Sequence, residues 1–90
     1  MAQIQVTNRE AGQALNGQAT LVTLDGSDSA NLSSFDKGDR CRHEQTGIYG
    51  LIHRVDYEGN SFSVNPLQPN LAFGIYGYLP VSATITVFTT

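Results

Sequence analysis

Three side chains in this chain of 90 residues carry the chemistry of metals and nucleophiles: Cys41, its sole cysteine, and the two histidines His43 and His53. Cys41 and His43 stand two apart, so an extended strand would place them on one face. A Cys-His-His metal site is conceivable, but the spacing matches no zinc module and a structural zinc wants four ligands. As a nucleophile and base, Cys41 and His43 lack a neighbouring carboxylate or carboxamide to orient the imidazole. A buried thiol with two ordinary strand histidines accounts for these residues better. The expectation is a protein with no catalytic residue, no metal and no cofactor.

The carboxylates are read as turn chemistry. Asp36 and Asp39 bracket Lys37-Gly38, and Asp25 and Asp28 flank Gly26-Ser27. The run Asp25-Gly26-Ser27-Asp28-Ser29 lacks the alternating acids and the distal bidentate Glu of a calcium loop. Asp and Ser at such places bond nearby backbone N–H groups.

Two groups of residues suit an interface. Four of the five basic residues, Lys37, Arg40, Arg42 and Arg54, fall between positions 37 and 54 of an otherwise acidic chain. Arg40 and Arg42 share a face if the strand alternates, which fits either docking on an acidic partner or a solvated face paired with Asp39, Glu44 and Asp56. The second group is Leu71 to Pro80, which holds two glycines and no charge. Alternation would set Phe73, Ile75, Gly77 and Leu79 on one face and Tyr76 and Tyr78 on the other. Tyrosine beside glycine is interface vocabulary, because it offers a large amphipathic area at small entropic cost. The competing account is a buried strand with Gly74 and Gly77 as bulges.

The elements that must position these residues are strands. Val81, Ala83, Ile85 and Val87 alternate with Ser82, Thr84 and Thr86, giving a half-buried strand over Val81 to Phe88. Arg40 to Gln45, a strand from Ile48 and a strand through Phe62 and Val64 form a meander, turning at Thr46-Gly47 and at Glu58-Gly59-Asn60, where Gly59 or Asn60 takes the positive φ. Leu51, His53, Val55 and Tyr57 are expected on one face of the second of these strands, with Val55 at the centre of the inward side. Gln18 to Leu24 reads as another strand, and Gln3 to Thr7 as a short one with Ile4 and Val6 on one face. Asp25 to Asp36 is a surface loop pinned by Leu32 and Phe35, and Asn65 to Asn70, with two prolines, ends the meander. Asn8 to Gly17 fits two helical turns capped by Asn8, or an extended arm. The fold expected is all-β: a small single-domain barrel or sandwich over 1–90, with a central three- to four-stranded meander. Residues 1–17 form an N-terminal arm or strand and 18–90 the barrel. Strand should dominate, with less than about one-fifth helix.

Composition narrows the function. Charged residues are 14% of the chain, below the roughly 25% of ordinary domains. A net charge of −3 argues against a protein that binds phosphate backbones, whose footprint is a basic stripe. No apolar run approaches the ~18 residues of a membrane span, and the first residues lack the regions of a signal peptide. A soluble protein made inside a cell is expected. A small core without disulfide or metal needs outside support, which self-association or docking supplies.

Phe35-Asp36-Lys37-Gly38-Asp39, followed by the run from Gly47-Ile48-Tyr49-Gly50 through Glu58-Gly59-Asn60 to Val64-Asn65-Pro66, resembles the small SH3-like or β-tulip barrels of tailed-bacteriophage virion proteins. In those a Gly-Asp turn starts one strand, a glycine precedes the next, and a hairpin ends in an x-Pro loop. The pattern covers about residues 35 to 88, and other small barrels share its turn grammar. The resemblance implies a non-enzymatic capsid decoration (cement) protein or a head-tail connector, located in the virion after assembly in the host cytoplasm. Its partner would be the major capsid protein or another virion subunit, with homo-oligomer formation and neither membrane nor nucleic acid as partner. The interface residues expected are Ile4, Val6, Arg40, Arg42, Tyr76, Tyr78 and Leu79. A small-barrel binding module for nucleic acid, peptide or sugar is the alternative; it would need a platform built from Tyr49, Tyr57, Arg40, Arg42 and Arg54.

Overall fold

A computed structural model describes residues 2–89. They form β1 (Ala2–Thr7), β2 (Gly12–Gln13), β3 (Thr20–Thr23), a 3-10 turn (Ser29–Ser34), β4 (Arg40–His43), β5 (Ile48–Asp56), β6 (Ser61–Pro66), β7 (Tyr78–Leu79) and β8 (Thr84–Thr89). Strand makes up 45% and helix 7%, so the all-β expectation holds. Six strands curl into a half-barrel in the order β1-β8-β4-β5-β6-β3, every pair antiparallel, while β2 and β7 form a separate ribbon. The expected meander is β4-β5-β6, at the centre of the sheet.

Alternation decides what each strand buries. Cys41 and His43 on β4, Gly50 and Ile52 on β5, Phe62 and Val64 on β6, and Ile85 and Val87 on β8 all point into the concave side. Thr20, Val22 and Leu24 do the same from β3 and its end. Phe35 and Phe62 meet edge to face, with ring centroids 5.4 Å apart, and Phe73 fills the other part of the core at 0% exposure. Burying an apolar side chain of this size contributes about 1.5–3 kcal/mol. Leu32 and Phe35 do pin the Asp25–Asp36 segment, which winds into the 3-10 turn between them.

The turns explain themselves chemically. Gly38 and Gly47 have φ of 96° and 74°, the left-handed region that glycine enters at no steric cost. Asp39 accepts the Asp36 N–H at 2.9 Å, and Asp25 accepts the N–H groups of Ser27 and Asp28 at 3.0 and 3.1 Å. At the β5–β6 hairpin it is Asn60, not Gly59, that takes the positive φ, 52°.

Three expectations are corrected, and one open alternative is decided. The strand at the C-terminus starts at Thr84, because Ser82 at φ 70° breaks the extended chain and leaves Val81 56% exposed. On β5, His53 is an extra residue between the pairs Ile52↔Val64 and Arg54↔Ser63. Leu51 faces solvent by simple alternation with the inward Gly50 and Ile52, and the bulge then changes the phase of the strand, so that His53 also faces solvent while Val55 turns back toward the core and is half-buried. For residues 8–17 the extended alternative holds, with β2 inside it and a turn at Asn16–Gly17, and Asn8 is a tie instead of a helix cap. Its Oδ1 accepts the Thr23 N–H at 3.1 Å, its Nδ2 donates to the Pro80 carbonyl at 2.9 Å, and its backbone bonds Ala83 and Ser82. One buried amide thus joins the ends of the sheet's two edge strands to the 80–83 segment. The stretch Leu71–Pro80 is mostly bends and a turn, with strand only at Tyr78–Leu79.

Candidate functional site

Cys41, His43 and His53 do not converge. Cys41 and His43 lie side by side in the core, while His53 faces solvent on the bulge. Burial, and then the Asp39 charge, pushes the Cys41 thiol far above its ordinary range, so little nucleophilic thiolate exists in the folded chain. The His43 Nδ1 bonds the Thr46 hydroxyl at 2.9 Å and its Nε2 has no hydrogen-bond partner. Burial holds its pKa below 6.5, outweighing the Phe73 backbone and the Glu44 and Gln45 side chains that favour the cation. Among the described residues no three His, Cys, Asp or Glu side chains are placed to hold a metal.

Two surfaces remain. The first is the turn Ile75–Tyr78, which carries Tyr76 and Tyr78. Tyr76 and Gly77 have φ of 50° and 80°, and the Tyr78 N–H returns to the Ile75 carbonyl at 2.7 Å. Two successive left-handed residues make the tight turn that ordinarily wants Asn-Gly. Glycine at 77 is required, because a Cβ there would collide with the Ala14 carbonyl oxygen. The Ala14 N–H donates to the Gly77 carbonyl at 2.6 Å, which fastens the turn to the 14–17 segment. Tyr76 stands at the tip with its side chain 100% exposed, and Leu15 beside it is 72% exposed. Gln13, Leu15, Gln18, Tyr76 and Tyr78 line a shallow depression of about 320 Å³. No Asp, Glu, Lys or Arg occurs in residues 11–24 or 59–90, so both segments that build this surface are uncharged.

The second surface is the convex side of the sheet, where register makes two rows. Gln3, Phe88, Arg40 and Leu51 stand side by side across β1-β8-β4-β5, and Gln5, Thr86, Arg42 and Tyr49 form the next row. Tyr49 and Phe88 stack with centroids 6.3 Å apart. The Arg42 guanidinium lies 5.5 Å from the first ring and 5.3 Å from the second, within the range of cation–π attraction. Its Nε donates to Glu44 at 2.5 Å and its Nη1 to the Tyr49 hydroxyl at 2.9 Å. Arg42 therefore holds the Glu44 carboxyl below the ordinary carboxylate range, with the Thr86 hydroxyl assisting.

The expected interface residues divide accordingly. Tyr76 and Tyr78 reach the turn surface, and Arg40 and Arg42 reach the convex platform. Val6 and Leu79 reach neither surface: they are 1% and 0% exposed, because the inward faces of β1 and β7 cover the chain's own core. Ile4 is half-buried against the same core. Arg54 and Tyr57 lie beyond the β5 bulge and do not join Tyr49 in a platform. Leu15 and Phe88 escaped sequence reasoning. Phe88 was detectable by carrying the Thr84-Thr86 parity one step further, whereas nothing local marks Leu15. Among the described residues no helix is long and apolar enough to cross a membrane. Known protein families, curated proteins and solved structures give no match to this chain.

Proposed function

We propose that the protein is a non-enzymatic structural subunit of a tailed-phage virion, a capsid decoration protein that docks on the major capsid protein through the Ile75–Tyr78 turn. The carrying observation is Tyr76, a bulky aromatic held at φ 50° and fully exposed. A left-handed conformation costs an ordinary side chain about 1–2 kcal/mol, and a ring left fully exposed offsets none of that by burial. Such a residue fits a contact made outside the chain. The uncharged surroundings support the same reading, since Leu15, Tyr76 and Tyr78 can be covered by a partner without desolvating an ion. Fastening by Ala14 keeps the turn rigid, so docking loses little conformational freedom.

The N-terminal strand contributes less than the sequence suggested, since β1 is the partner of β8 within the sheet. A head-tail connector would use the same turn in a ring. The test is sucrose-gradient sedimentation of lysates from infected cells that express the tagged chain. Decoration places it with capsid-sized particles in near-stoichiometric amount to the coat protein. A chain that stays at the top of the gradient removes the proposal, and one that appears only with tails or isolated rings moves it to the connector role.

A further inference from the structure

The two arginines of the convex platform are not equivalent. Arg42 is ion-paired with Glu44 through Nε and donates from Nη1 to the Tyr49 hydroxyl, so its charge is already matched. Arg40 lies over the same Tyr49 ring, 5.8 Å from its centroid, and among the described residues its guanidinium forms no hydrogen bond and no ion pair. Its sequence neighbour Asp39 is turned inward, 6% exposed, and bonded to the Asp36 N–H. Depressions of about 340 and 490 Å³ open on two sides of the Arg40–Tyr49 pair. Leu67 and Leu71 line one, and Leu51 and Phe88 the other.

From this arrangement we propose a second binding site, for an extended acidic segment of a partner protein: one carboxylate pairs with Arg40, and apolar side chains two residues to either side settle in the two depressions. The surface is separate from the Tyr76 turn, and the inference holds whatever assembly that turn serves.

The chemistry selects this ligand. A guanidinium presents a planar fork that matches a carboxylate with two parallel hydrogen bonds. Stacking on Tyr49 restricts the fork before the ligand arrives, so less side-chain entropy is lost on binding. In an extended peptide alternate side chains fall on one face, about 6.5–7 Å apart, which lets one segment present apolar, acidic and apolar groups in succession. A nucleic acid fits less well. It carries a charge every ~1.7 Å of duplex, and this platform offers one guanidinium without an ion-pair partner among the described residues, on a chain of net charge −3 whose other platform arginine is already paired with Glu44.

The experiment is a titration of the isotopically labelled full chain, followed by amide and arginine Nε–H resonances. The probe is acetyl-Phe-Ser-Glu-Thr-Leu-Ser-Asp-amide, with its Gln/Asn analogue and oligothymidylate as comparisons. Saturable shifts should centre on Arg40, Tyr49 and Leu51, with a Kd of about 0.1–1 mM. Arg40→Gln and the Gln/Asn probe should each weaken binding about tenfold, more at low salt than at high salt. Arg54→Gln, an exposed change beyond the bulge, should leave it unaltered. Absence of a saturable shift, equal binding of the uncharged probe, or insensitivity to Arg40→Gln overturns the proposal. Tighter, Arg40-dependent binding of oligothymidylate overturns it in favour of a nucleic-acid module. Any of these results leaves docking through Tyr76 standing, and failure of particle binding leaves the peptide site standing.

Discussion

Replacing Tyr76 by Asn should stabilise the protein while weakening its attachment to particles. Tyr76 occupies the first left-handed position of a two-residue turn, at φ 50°, where Asn is among the best tolerated residues. Its ring is 100% exposed, so removing it sacrifices no internal packing. Against a cost of about 1–2 kcal/mol for an ordinary residue in this region, Asn should recover about 1 kcal/mol. For a domain of this size that corresponds to a rise of about 4–8 °C in melting temperature. Tyr76→Gly should gain less, because the glycine chain has about 0.5–1 kcal/mol more conformational entropy to lose on folding. Thermal unfolding followed by far-ultraviolet circular dichroism gives the comparison, with Tyr57→Asn as control: Tyr57 is also exposed, but its backbone has no positive φ. A melting temperature for Tyr76→Asn that is unchanged or lower than wild type would refute the strain on which the functional reading depends. If the variant is more stable and still sediments with particles at the wild-type level, the strain is real and its functional interpretation is wrong.

Three other outcomes follow from the fold. Ile85→Asp, which places a carboxylate at a fully buried position between β1 and β4, should unfold the domain, since an unpaired buried charge costs more than a small domain's whole margin; Val55→Asp, at a half-buried position on the rim of the core where the carboxylate can reach water, should weaken the domain and leave it folded by the same spectra. Asn8→Ala strips partners from the Thr23 N–H and the Pro80 carbonyl, and chemical denaturation should register a loss of about 2–4 kcal/mol. His43 is held neutral by burial, so its folded pKa lies below 6.5; the unfolded chain takes up the proton first, and stability is full above that pH and declines as pH falls through it. Melting temperatures across that interval should drop in wild type and drop less in His43→Leu.

How much of this was legible in the sequence depended on whether local chemistry and the strand period agreed. On β4 they did: Cys41 and His43 face in, and Arg40 and Arg42 face out, as two-residue alternation requires. On β5 the period itself changes, because the extra residue His53 shifts the pairing, and no residue type signals a bulge of this kind. Tyr76-Gly77 hid its turn for a different reason. Tyrosine is rare at the first left-handed position, so the strand-like run around it looked continuous. The platform was half visible. The arginines could be placed on one face, but joining them to Phe88 needs the pairing of β8 with β4, a contact between residues far apart in the chain.

The central claim is that Tyr76 is the point at which the chain meets a capsid. The most direct measurement replaces Tyr76 by the photoreactive p-benzoylphenylalanine in the full chain, irradiates particles isolated from infected cells, and identifies the cross-linked partner by mass spectrometry. Docking through the turn predicts an adduct with the major capsid protein from position 76 and none from the same residue placed at position 57. No adduct from position 76, or equal yields from the two positions, would contradict it.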